Sequence, residues 1–265
     1  MKLRTADQVA YDVAEQRSPG PRATLFGLLA AAWRRGRSPD AYLDFQTVQA
    51  ELVLEYLRKR GVKIGSKRVL DVGCGHGGYA RAFQAAGAEV LGADMFTDRT
   101  HHDIVRSVDI IRSDALAIPL SDRAMDLVFC ASLIEHVPQP RVLIDELKRV
   151  LRPGGVCYLS FPPFYTPLGG HQFKPFHLLG ERAALYLYRR LHRNDSNGSP
   201  NGFGDAFGEW GLYRRTIGSV RRHVEEGGFR VLDESTRFLP INLSRVPFIS
   251  EFVTWHVQFL LQRPL

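Results

Sequence analysis

The segment "RVLDVGCGHGGYARAF", Arg68 to Phe83, constrains the fold more than any other part of the chain. Val69, Leu70 and Val72 form a short aliphatic run. Gly73, Gly75, Gly77 and Gly78 then crowd into a turn, and "YARAFQAAG" can continue as a helix. Strand, glycine turn and helix start are the opening unit of a parallel α/β sheet. The turn brings the unpaired N–H groups of a helix start next to whatever lies over the strand ends, and glycine lets a ligand approach the backbone closely.

The apolar runs that follow keep this alternation. "EVLGAD", "IIRSD", "MDLVFCA" and "VCYLSFP" read as strands and "PRVLIDELKRVL" as a helix; each strand candidate is nearly continuous in aliphatic residues, as in strands covered on both faces. Upstream, "RSPD" (Arg37 to Asp40) is a helix start signal, the apolar spacing over Ala41 to Arg60 fits a helix, and Gly61 ends it. After Pro162 comes an aromatic, glycine-rich segment with one helix candidate, "GERAALYLYRRLH", and a polar loop, Asn194 to Gly204. "FRVLDESTRF" and "VTWHVQFLLQRP" read as two closing strands that can pair antiparallel. The expected layout is a single domain: a helical cap (1–62), a ligand-binding core (63–162), an inserted lid (163–226) and C-terminal strands (227–265).

The glycines alone leave two ligand readings open. Gly73-x-Gly75-x-x-Gly78 satisfies the dinucleotide fingerprint, with Asp94 at the spacing of a ribose-binding acid. Against a dinucleotide, Asp71 stands two residues before the first glycine, where a carboxylate suits a cationic ligand and not a pyrophosphate. Asp114, in "RSDALAIPL", ends the third strand and can accept from an adenine amino group.

The order "LDVGCGHG", "GAD", "SDALAIPLSDRAMDLVFCASLIEHV" and "LRPGG" resembles the class I S-adenosylmethionine-dependent methyltransferases over about Arg68 to Pro162. "GGHQFKPFHLLG" and "SPNGFG" are similar to an actinobacterial subgroup of these enzymes. The resemblance implies a Rossmann-like, doubly wound, seven-stranded sheet with an antiparallel last strand, and S-adenosylmethionine as cofactor. It places Asp71, Gly73, Cys74 and Gly75 around the methionine part, Asp94 on the ribose hydroxyls and Met95 against the adenine. Asp114 and the backbone of Ala115 would reach the adenine amino group, and Ser132 and Leu133 would flank the methionyl end.

If the acceptor is a hydroxyl, a base helps the reaction, and histidine has a suitable pKa. His171, just past the fifth strand, is the first candidate, with His177 and His136 as alternates. Phe161, Phe164, Tyr165, Phe173, Phe176, Phe203, Phe207 and Trp210 can wall an apolar acceptor pocket or form the core of the insert. The expected acceptor is a small or amphipathic metabolite: a sugar, glycolipid or polyketide. Nucleic-acid or protein N-methylation, an NAD-dependent oxidoreductase and a non-catalytic binding module are the alternatives. "SFPPFY" departs from the amino-methyltransferase motif in its position after the fifth strand and in Phe161 before Pro162, so no nucleic-acid partner is expected.

The net charge of +7, at 24% charged residues, comes mainly from scattered arginines and suits an anionic partner. Three cysteines, odd in number and each within or beside an apolar run, are expected as reduced thiols in the cytoplasm. "LFGLLAAAW" is too short to span a bilayer but, with "RRGR" after it, can lie on a membrane surface. "THHD" (Thr100 to Asp103) offers metal ligands in a polar loop, and no metal is expected. There is no serine elbow, Walker loop or paired-cysteine zinc pattern.

Overall fold

The computed structural model describes residues 24–34, 37–97, 108–191, 200–206, 211–239, 241–246 and 249–265. Two helices come first, α1 (Leu25–Arg34) and α2 (Pro39–Lys59). Ser38 caps α2, its hydroxyl accepting the Ala41 N–H at 3.1 Å, and Pro39 follows at the first helical position, as the "RSPD" signal requires. On α1, Phe26, Leu29 and Trp33 are exposed, so the apolar run beginning at Leu25 presents an uncovered face. No helix among the described residues is long and apolar enough to cross a membrane.

The sheet strands are β1 (Arg68–Val72), β2 (Glu89–Asp94), β3 (Asp109–Arg112), β4 (Met125–Ala131), β5 (Leu151–Phe161), β6 (Arg230–Thr236) and β7 (Val257–Gln262). Their order is β3-β2-β1-β4-β5-β7-β6. β1, β2 and β3 run parallel, while β7 runs antiparallel to both β5 and β6. This is the expected doubly wound, Rossmann-like sheet. The chain divides into two compact units at Phe129/Cys130, inside β4.

In the first unit, α3 (Gly78–Ala85) follows β1 and buries Tyr79, Ala80 and Phe83. The Phe83 and Phe129 rings meet edge to face at 5.2 Å. Burying each such ring contributes about 1.5–3 kcal/mol, which fixes the helix that closes the glycine turn.

In the second unit, α4 (Pro140–Val150) buries Leu143, Ile144, Leu147 and Val150, a helical stripe facing its core. β5 is longer than the sequence suggests. The strand reading above begins at Val156, yet "LRPGG" is strand as well, and Arg263, just beyond β7, exchanges backbone hydrogen bonds with Gly154 and Gly155 at 2.9 Å each. The remaining helices are α5 (Glu181–Leu191), α6 (Ile217–Glu226) and α7 (Ser250–Val253). Between β5 and α6 lies the insert. Phe164, Phe173, Ala184, Leu185, Phe203, Ala206 and Leu212 form its core, with Tyr165 and Phe176 packed against it. Those aromatics are committed to the insert's own packing, and Phe161 is buried in β5 against Phe259. Phe207, Trp210 and the "THHD" segment lie outside the described residues. Cys74, Cys130 and Cys157 are buried.

Candidate active site

The glycine turn is built by backbone geometry that side chains resist. Gly73, Gly75 and Gly77 all take positive φ (73°, 50° and 82°), and Gly77 caps α3. Gly78 is glycine for a different reason: a Cβ there would stand 2.5 Å from the Gln46 Cβ, and its N–H donates to Gln46 Oε1 at 3.2 Å. Helix α2 therefore braces the turn from behind. At Gly75 nothing lies within 4 Å of where a Cβ would point, so this stretch of backbone borders open space.

Two carboxylates flank that space. Asp94, at the end of β2, is 3% exposed and accepts the Gly75 N–H at 2.8 Å on Oδ2 and the Phe96 N–H at 2.9 Å on Oδ1. Each oxygen keeps a second lone pair for a ligand hydroxyl. Asp71, at 2% exposure, accepts from the Ala80 N–H, but its Oδ2 is buried without a hydrogen bond. Burial, and then the neighbouring Asp94 charge, push the Asp71 carboxyl up to about 8. A cationic ligand answers that unpaired oxygen; a pyrophosphate would worsen it. These residues fit S-adenosylmethionine, which brings an ammonium, a sulfonium and two ribose hydroxyls. Burial and the same two acids hold the Cys74 thiol protonated, so it is no nucleophile.

The other expected cofactor residues follow strands, Met95 and Asp114 in the first unit and Ser132 and Leu133 in the second. Met95 is half-buried just after β2. Asp114, exposed after β3, closes an Asx-turn by accepting the Leu116 N–H at 2.9 Å, with Ala115 half-buried beside it. In the second unit, Ser132 has φ +53° and donates its N–H to the Ser160 carbonyl at 2.7 Å, and Leu133 is half-buried.

Ser132 and Leu133 lead into a short 3-10 turn, Ile134–His136. There the structure gathers three groups from two places in the sequence. Glu135 is 1% exposed, and neither of its carboxylate oxygens has a hydrogen bond. Its Oε1 lies 3.6 Å from His171 Nε2 and 4.0 Å from His136 Nε2. The two imidazoles meet at 4.7 Å with a 71° interplanar angle. His136 Nδ1 contacts the Gly211 carbonyl at 2.9 Å; a carbonyl only accepts, so Nδ1 carries the proton. Burial lowers the His136 pKa against the opposing pull of Glu135. The segment from Gly211 to Arg215 straps this turn: Tyr213 N–H donates to the Glu135 carbonyl at 2.8 Å, and Arg215 donates to the Ile134 and Val137 carbonyls.

His171 sits at φ +49°, a strained value for a histidine, and its side chain keeps 24% exposure. His177 does not join the cluster. It is 1% exposed, and its Nε2–H is shared between the Phe164 and Thr166 carbonyls at 2.8 and 3.1 Å. Burial also lowers its pKa, and its place is that of a strut inside the insert. Glu135 is the member of this cluster not among the candidates above; the acid beside His136 in "EHV" was its one signal. Ser160 is fully buried inside β5, and its hydroxyl oxygen has no hydrogen-bond partner. An open groove of about 560 Å³ runs along α5, lined by Arg182, Leu185, Tyr186, Arg189 and Arg190.

Comparison with known proteins gives the family. The family described as "Methyltransferase domain" matches residues 70–159. An uncharacterized methyltransferase of Mycobacterium ulcerans is 32% identical over 266 aligned positions, covering 98% of this chain and 92% of the relative. One from Mycolicibacterium paratuberculosis is 33% identical, covering 76% and 78%. Among solved structures, an S-adenosylmethionine-dependent methyltransferase from Mesorhizobium loti superposes with a TM-score of 0.55 at 20% identity, covering 80% of this chain and 98% of that one. The [4+2]-cyclase SpnF shares the fold at 0.53 and 18% identity, covering 82% of each chain. The chain belongs to the class I S-adenosylmethionine-dependent methyltransferases, in a group with mycobacterial members.

Proposed function

We propose that the protein methylates a hydroxyl oxygen of a small or amphipathic metabolite such as a sugar, glycolipid or polyketide. S-adenosylmethionine supplies the electrophilic methyl carbon and its own leaving group, so the protein's work is to align an oxygen with that carbon and dispose of its proton. The observation that carries this reading is the convergence of Glu135, His136 and His171. A hydroxyl must lose a proton during methylation, and these are groups that handle protons or acidify an oxygen ligand. The family resemblance puts Ser132 and Leu133, immediately before them in the chain, at the methionyl end. The arginine-lined groove along α5 supports an acceptor with an anionic part. A cyclase with the same fold shows that architecture alone does not choose the reaction, so the acceptor requires its own test.

The test has two stages. Calorimetric titration with S-adenosylhomocysteine should show micromolar binding that Asp94→Ala abolishes, since that change removes both the ribose acceptor and the brace on the Gly75 N–H. Labelled methyl transfer into fractionated extract should then mark a small, alkali-stable ether. Label appearing in RNA, DNA or protein would refute the oxygen-acceptor reading.

A further inference from the structure

From the same cluster we infer that Glu135, His136 and His171 form a binding site for a divalent first-row transition ion of the zinc class. This deepens the proposed reading by assigning the ion to the acceptor side of the reaction. The three ligand atoms lie within 4.8 Å of one another, and two of the separations are 3.6 and 4.0 Å. Ligands about 2.1 Å from a tetrahedral zinc stand roughly 3.4 Å apart, so modest side-chain rotation closes the site. Two nitrogens and one carboxylate oxygen suit zinc, cobalt or iron, whereas magnesium and calcium favour all-oxygen sets.

Three features argue for a cation over a simple proton relay. Glu135 is buried with both oxygens lacking hydrogen bonds, and the Arg215 charge acts on it only through space because its guanidinium donates to the Ile134 and Val137 carbonyls, so the carboxylate has a place for a directly bound cation. The proton on His136 Nδ1, fixed by the Gly211 carbonyl, makes Nε2 of the neutral ring an electron-pair donor directed at the side of Glu135. Backbone carbonyls hold metal-binding histidines in this way, setting the tautomer and ring direction. Finally, 3.6 and 4.0 Å are too long for a hydrogen bond from either ring to Glu135, and neither is too long for two ligands of one ion.

Three protein ligands leave a fourth position open, which an acceptor hydroxyl can take. Coordination makes that hydroxyl a stronger acid. Its proton passes to solvent, the oxygen's electron pair forms the bond to the methyl carbon, and the carbon–sulfur pair stays on the donor's sulfur as the sulfonium becomes a thioether. His171 is then a ligand and not the base.

Metal binding can be measured without an acceptor. The apoprotein should take up one equivalent of Co²⁺ with visible d–d absorption, and Zn²⁺ should displace it. Glu135→Gln and His171→Ala should each weaken binding at least tenfold, while His223→Ala, on α6, should not. S-adenosylhomocysteine affinity checks that each variant is folded. Uptake of no Co²⁺ or Zn²⁺ by wild type that still binds S-adenosylhomocysteine would overturn the ion site and leave methyl transfer standing. Metal uptake unaffected by both ligand substitutions would equally overturn it.

Discussion

Asp71 should make cofactor binding a proton-releasing event. With its carboxyl pushed up to about 8 by burial and by Asp94, the residue is about nine-tenths protonated at pH 7 in the ligand-free protein. A bound ammonium favours the ionised form, so S-adenosylhomocysteine should displace about 0.9 proton at that pH. Titrations at pH 7 in buffers of different ionisation enthalpy should show heats that vary linearly with that enthalpy, with a slope near 0.9. Affinity should rise close to tenfold per pH unit from about 6 to 7 and level off near 8, because below 8 each binding event must first remove the proton. Asp71→Asn should abolish the buffer dependence and weaken binding at pH 8 at least tenfold. Tight binding whose heat is the same in all buffers would refute the argument: Asp71 would then keep its protonation state when the ligand binds. The same shift has a sign for stability. The folded protein holds this proton between about 4 and 8 while the unfolded chain releases it, so Asp71 erodes stability as pH rises through that window. The ligand-free Asn variant should accordingly gain in Tm over wild type as pH goes from 5 to 8.

Two substitutions test the supports of the site. Gly78→Ala drives a Cβ to 2.5 Å from Gln46 Cβ, and thermal unfolding should show a loss of about 1–3 kcal/mol that Gln46→Ala, which keeps the clashing Cβ, does not restore. His177→Ala removes the donor to the Phe164 and Thr166 carbonyls; we expect a loss of about 1–3 kcal/mol with S-adenosylhomocysteine affinity unchanged, and an affinity loss at retained stability would move His177 from strut to site.

The strand, glycine turn and helix were readable in the sequence because they are local. β1, the glycine turn and α3 occupy Arg68–Ala85 without interruption, and Asp94 follows one strand later. Ser38 as a helix cap was equally plain, since capping depends on a few adjacent residues. What escaped were features made by distant partners. Gly154 and Gly155 of "LRPGG" pair with Arg263, more than a hundred residues downstream. Gln46 behind Gly78 and His171 beside Glu135 are likewise contacts across 32 and 36 residues, which neither periodicity nor motif spacing encodes. The aromatic residues of the insert were identifiable as apolar, but only packing decided that they cover one another.

The position of β7 has a consequence for how the chain matures. β7 is last among the strands in sequence, yet it lies between β5 and β6 and pairs with both. During synthesis, β6 leaves the ribosome before the strand that will join it to the sheet, and β5 keeps an open edge until residues 257–262 arrive. Exposed edges of this kind invite mispairing with other chains. A nascent or truncated product stopping short of Val257 is therefore expected to aggregate more readily than a chain that includes these six residues.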